Sequence, residues 1–177
     1  MSDSLKDAGQ LLLRSGIGGV LVAHGCQKLF GWFGGHGLQG TAAAFESMGF
    51  RPGRPSALAA GLGEAGGGAL IALGLGTPLA GAAAAGTMVA ATAVHLPAGF
   101  FAQTGGYEYA ALLGVSSAAL ALTGPGTWSL DRVFGYRLDE PWMTGSALLL
   151  SVAAATVVLQ RRANALRAER EKDGGEG

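Results

Sequence analysis

Apolar residues in this chain come in long blocks, with the polar residues gathered at the block edges. From Pro55 to Leu130 the only ionised side chains are Glu64 and Glu108, and no Lys or Arg stands between Arg54 and Arg132. A helix needs roughly 20 mostly apolar residues to cross about 30 Å of hydrocarbon. Five blocks, 10–30, 56–76, 79–97, 107–124 and 143–160, therefore read as membrane spans, the last of them short. Thr77-Pro78, Pro97 with Gly99, Thr104-Gly105-Gly106 and Gly124-Pro125-Gly126 punctuate them as turns. In the long first loop, Leu38, Ala42, Phe45 and Met48 recur at helical spacing, which fits either a short helix on the membrane surface or a plain connector. Residues 1–9 read as an N-terminal tail and 161–177 as a charged, disordered tail. The expected class is an all-α polytopic membrane bundle: a four-helix core over 10–132, plus a fifth C-terminal transmembrane helix.

Composition agrees with that solvent. The 177 residues are 49% hydrophobic and 14% charged, where a soluble domain carries about 25% charge. The 32 glycines suit close helix approach in lipid. Lys and Arg (12) balance Asp and Glu (12), so no cationic face for nucleic acid is expected. Cys26 stands alone and no Cys/His spacing resembles a metal framework, so no metal is assigned. The N-terminus has one Lys6 among Asp3 and Asp7, and Arg14 interrupts the apolar run, so the first helix is read as retained rather than cleaved as a signal.

Orientation follows from the cations. Arg161, Arg162, Arg167, Arg170 and Lys172 place the tail in the cytoplasm by the positive-inside rule. Five spans then put Arg51 and Arg54 on the same side, with the N-terminus and the Arg132/Arg137 loop opposite. If the fifth segment only lies on the membrane, the N-terminus moves to the cytoplasmic side.

Alternation of helix direction also gives depth. His24 and Lys28 end the first span, Glu64 lies early in the second, His95 ends the third and Glu108 begins the fourth, so all five fall in one half of the bilayer. Arg14 belongs to the opposite half. Charges in hydrocarbon cost roughly 2.5 to 3.5 kcal/mol each on insertion scales, so such groups pair, face the interior or line a pathway. Lys28 is expected to pair with Glu64 or Glu108, both of the span-end groups Lys28 and Glu108 having snorkelling as the plainer alternative. Glu64 sits about 12 Å along its helix, too deep for its short side chain to reach water, and is the leading site residue. For His95 a structural hydrogen bond is an alternative to a site role. Phe30, Trp32, Phe33, Phe100, Phe101, Tyr107 and Tyr109 surround this end as an interfacial belt or as a stacking wall for a flat ligand such as a quinone head group.

Other signals carry less. Gly61-Leu62-Gly63-Glu64-Ala65-Gly66 matches G-x-G-x-x-G but lies inside a span without a preceding strand, so it is no nucleotide loop. Gly25, Gly63, Gly67 and Gly68 are read as helix-packing positions. Haem b between His24 and His95 is disfavoured, two lone histidines being a weak signal.

Arg14-x-Gly16, His24-Gly25-Cys26-Gln27-Lys28-Leu29-Phe30-Gly31, Glu64-x-x-Gly67-Gly68 with Leu73-Gly74-Leu75, His95, Gly106-Tyr107-Glu108 and Gly124-Pro125-Gly126-x-x-Ser129-Leu130-Asp131, in that order over about residues 10 to 132, resemble the DoxX family of small bacterial membrane proteins. The resemblance implies a four-helix membrane bundle associated with membrane redox systems, including quinone-linked thiosulfate oxidation and oxidative-stress complexes. By position, Arg14, Lys28, Glu64, Gly67, Gly68 and Glu108 would be the motif's polar and glycine positions. The segment 143–160 and the basic tail depart from the family pattern.

The leading expectation is thus a subunit of an oxidoreductase system in the bacterial inner membrane. Lys28, Glu64, His24 and Glu108 would line a site that binds quinone or relays protons beside it. The chain would carry no redox centre of its own, and electrons would come from soluble or membrane redox partners. The alternative is a scaffold anchoring soluble redox enzymes, with a small-solute transporter less favoured for want of a polar pore stripe. The sequence assigns no reaction to the chain by itself, and it is compatible with a homo-oligomer.

Overall fold

A computed structural model describes residues 3–174, in which seven α-helices and no strand occur. Helix α1 (Asp3–Phe30), α3 (Gly53–Leu73), α4 (Thr77–His95), α5 (Glu108–Thr123) and α7 (Pro141–Gly174) run along the bundle. Two short helices, α2 (Gly37–Ser47) and α6 (Leu130–Val133), lie at opposite ends. Three of these, α3, α4 and α7, are long and apolar enough to cross a membrane, and α5 is a shorter apolar helix of 16 residues. Helix α1 has the length, with Arg14 and Lys28 interrupting its apolar run. The protein is a helical membrane bundle.

The element boundaries differ from expectation in instructive ways. Pro55 and Pro78 lie within the first turns of α3 and α4, where a missing N–H costs nothing, so these helices start earlier than a proline break suggests. The turn between them is Gly74-Leu75-Gly76, not Thr77-Pro78; Gly74 takes φ +68°, which terminates α3. The first loop contains a true helix, α2, packed on α1 and α3, and its buried Thr41 donates a hydrogen bond to the Lys28 carbonyl at 3.2 Å. The N-terminal tail is also helical from Asp3, because Asp7 accepts from the Thr127 amide and hydroxyl and Gln10 donates to Thr123 and Gly124.

The largest difference is the C-terminal segment. It is not disordered over 161–174: α7 continues without a break, the stretch from Arg161 to Lys172 being rich in helix-forming Ala, Arg, Glu and Leu. Its inner face docks on the turn after α2. Arg162 donates to the Met48 carbonyl at 2.8 Å and stacks on Phe50, Arg51 pairs with Glu169, and Leu166 lies against Gly49.

Helix α7 starts beside Gly124 and Arg132 at one end of the bundle and reaches Met48 at the other. It therefore traverses the whole bundle, and the start of α1 and the end of α7 lie at opposite ends of it. Helices pack in the order α1, α3, α4, α5, with α7 against α4 and α5. In lipid this packing draws on dispersion and close approach rather than on exclusion of water. Leu21, Ile71, Leu113 and Leu120 fill the interior.

Candidate functional site

The site begins with backbone proximity. A Cβ on Gly25 would lie 2.6 Å from Ala65 Cβ and 2.7 Å from the Gly61 carbonyl, and one on Gly68 would lie 2.7 Å from Gly18 O and Leu21 Cβ. Only glycine admits α1 onto α3 at these two points. Gly63 and Gly67 face α4 instead, and more loosely: a Cβ there would meet Thr87 Oγ1 at 3.8 Å or Ala80 O at 3.9 Å. The α1–α3 seam uses Gly18 and Gly25 on α1 and Gly61 and Gly68 on α3, each pair seven residues, or two helical turns, apart and so on one face.

This seam sets Lys28, in the last turn of α1, opposite Glu64 in α3. Lys28 Nζ is 2.5 Å from Glu64 Oε2, and Glu64 is 5% exposed. One turn below Lys28, His24 Nε2 is 3.2 Å from the Tyr109 hydroxyl, the two rings 5.3 Å apart. His95 Nδ1 is 2.8 Å from the Gly105 carbonyl. These four positions, with Tyr109, line a cavity of about 340 Å³ whose remaining wall includes Leu21, Met88 and Leu113.

Glu108 does not join them. Its carboxylate accepts a hydrogen bond from the Ala102 amide at 3.1 Å and pins the turn above the cavity. The reason is phase: Tyr109, Ala110 and Leu113 line the cavity from one face of α5, and Glu108, the first residue of that helix, falls on the other face. That same phase is the sequence signal that singles out Tyr109. Of the seven aromatics at this end, Tyr109 alone lines the cavity; Phe30, Trp32, Phe33, Phe100 and Phe101 are exposed, an outer collar rather than a stacking wall.

Arg14 lies at the opposite end, as expected, 1% exposed and donating to the Trp128 carbonyl. Asp131 is beside it and equally buried. Its carboxylate accepts from the Gly76 and Thr77 amides at 2.9 and 3.4 Å, and its own amide donates to Gly74 O at 3.0 Å. Asp131 thus closes the positive end of α4 and joins the 124–131 segment to the α3–α4 turn. Sequence reading took Asp131 only as a motif letter.

Chemically, the cavity offers an ammonium with N–H groups beyond its ion pair, a carboxylate, an imidazole and a phenol, set in apolar walls. Such a set holds an oxygen-bearing ring or passes a proton between neighbours. Among the described residues, no three His, Cys, Asp or Glu side chains come together as a metal-binding group. A second hollow, about 500 Å³ between α4, α5 and α7, is walled by residues such as Val89, Val115 and Val152.

No curated protein and no solved structure matches the chain. Residues 9–96 match the DoxX family model, which takes in Arg14, His24, Lys28, Glu64 and His95 and stops short of Glu108 and the 124–131 segment. With that match in the segment that builds the α1–α3 seam and its ion pair, the chain belongs to the DoxX family of membrane proteins.

Proposed function

We propose that this protein is the membrane subunit of an oxidoreductase system and that its polar cavity binds a quinone head group. The observation that carries the reading is the Lys28–Glu64 pair and the His24–Tyr109 pair on the wall of one cavity of about 340 Å³. A quinone supplies two-electron, two-proton chemistry when bound. This chain's residues hold and orient it: the Lys28 ammonium is a donor for its oxygens, and Glu64 and His24 are positioned to take or give protons. Leu21, Met88 and Leu113 exclude water from the ring. Electrons come from a redox partner.

The cavity end of the bundle faces the cytoplasm in this reading. Arg51, Arg54 and the cations of the α7 extension lie at that end, and the positive-inside rule retains them there. A membrane-impermeant thiol reagent that labels a cysteine at position 170 in intact cells would overturn this orientation.

The test of function is mass spectrometry on solvent extracts of protein purified in mild detergent. Wild type is expected to carry quinone, and Glu64→Gln and Lys28→Ala to lose it; equal quinone in all three, or none in any, rejects the reading. A second reading, a scaffold for soluble redox enzymes, draws on the α7 extension, which presents Arg161, Arg167, Arg170 and Lys172 outward. Under it, removal of residues 161–177 abolishes co-purification of redox proteins while Glu64→Gln leaves it intact.

A further inference from the structure

The walls of the cavity are closed unequally. Toward the membrane surface, the 99–108 turn forms a roof held by a dense set of hydrogen bonds, among them His95 to Gly105 O at 2.8 Å, Ala102 N to Glu108 at 3.1 Å, Tyr107 N to Gly99 O at 3.1 Å, Glu108 N to Phe100 O at 2.8 Å and Gly106 N to Phe101 O at 3.0 Å. The α1–α3 side is sealed by the glycine contacts and the Lys28–Glu64 pair. The α4–α5 side is sealed by Gly114, where a Cβ would lie 3.0 Å from Met88 Cβ.

The α3–α4 side is closed by direct packing of the two helices, and the remaining side, between α1 and α5, is different. These helices are tied at the far end by Gln10 to Thr123 and Gly124 and by Asp7 to Thr127. At the level of the cavity they scarcely touch, and the His24–Tyr109 hydrogen bond is the polar link the structure gives across the seam. Tyr109 is 42% exposed there. His24 stands six residues before the end of α1, about 9 Å along the helix axis, which puts this weak side in the outer part of the hydrocarbon rather than in water.

We propose that the cavity is loaded sideways from the bilayer through the α1–α5 seam, with the His24–Tyr109 bridge as its latch. The ligand is then a membrane-dissolved molecule whose polar ring enters the cavity while an apolar tail stays between α1 and α5 in the lipid, not a water-borne solute. This rests on the ligand-site reading above and assigns Tyr109 a positioning role at the entrance. Opening the seam sacrifices one hydrogen bond, whereas opening the roof sacrifices several.

The experiment uses the full chain in lipid nanodiscs with Cys26→Ser, His24→Cys and Tyr109→Cys, bridged by a short bis-methanethiosulfonate reagent that reductant removes. Loading of a full-length isoprenoid benzoquinone from vesicles is followed by mass spectrometry. The bridged protein is expected to load at least about tenfold more slowly than the unbridged, with recovery on reduction. Equal loading of bridged and unbridged protein overturns the route while leaving the ligand site standing; no quinone in wild type overturns both. Should the triple variant take no quinone before bridging, Tyr109→Phe decides. Loss of its hydroxyl is expected to speed exchange of the tailed quinone about threefold to tenfold, and unchanged exchange overturns the latch.

Discussion

Lys28 Nζ and Glu64 Oε2, 36 residues apart in sequence, meet at 2.5 Å because Gly25 lets α1 settle directly onto α3. The pair is unequal: the Glu64 side chain is 7% exposed and that of Lys28 23%. Removing the lysine therefore strands a carboxylate that has no route to water.

Lys28→Met is expected to destabilise the protein by about 3 kcal/mol, since an unpaired buried charge costs more than the pair gains. Adding Glu64→Gln should restore a large part of that loss, a coupling of about 1–3 kcal/mol. The buried Cys26 is a built-in reporter: thermal unfolding in detergent exposes it to a maleimide dye. Additive losses in the double variant would show that the two side chains do not act as a pair.

Gly25→Ala should cost about 2–3 kcal/mol by the same assay, because its Cβ falls 2.6 Å from Ala65 Cβ with backbone behind it. Gly63→Ala, one turn before Gly67 in the apparent GxxxG, should change stability by no more than about 0.5 kcal/mol. Similar losses at both positions would count against the seam described here.

At the other end of the bundle, Asp131→Ala leaves the Gly76 and Thr77 amides without their acceptor and Arg14 without its nearby countercharge. A loss of about 1–3 kcal/mol is expected. Faster hydrogen exchange should concentrate at residues 74–78, and exchange spread evenly over the chain would contradict a local cap.

Hydrogen bonds from the Thr127 hydroxyl and amide hold the Asp7 carboxyl below its ordinary pKa of 3.8. A depressed carboxyl contributes stability that is complete above the unfolded value and is lost as pH falls through the folded one. The tie between α1 and the 124–127 turn should thus be intact at pH 6 and loosen below about pH 4. Amide exchange at Thr127 measures it, and Asp7→Asn should abolish the pH dependence.

Much of this protein was legible in one dimension. Solvation alone dictates that long uncharged blocks become helices in lipid, where every backbone group needs an internal partner. Strict alternation of helix direction then put His24, Lys28, Glu64 and His95 in one half of the bilayer and Arg14 in the other. What sequence could not supply was rotation about each helix axis, since depth depends on residue count while facing depends on packing. That is why Glu108, expected in the site, stands in the roof while its neighbour Tyr109, expected as part of an aromatic belt or wall, lines the cavity. For the same reason spacing alone did not say which neighbour a glycine meets: Gly63 and Gly67 face α4, and Gly61 and Gly68 face α1. The course of α7 past residue 160 was decided by tertiary contact, its charged extension gaining Met48, Phe50 and Arg51 as partners that local composition does not reveal. Hydropathy determined which residues enter the membrane, and close packing of backbones determined which of them face one another.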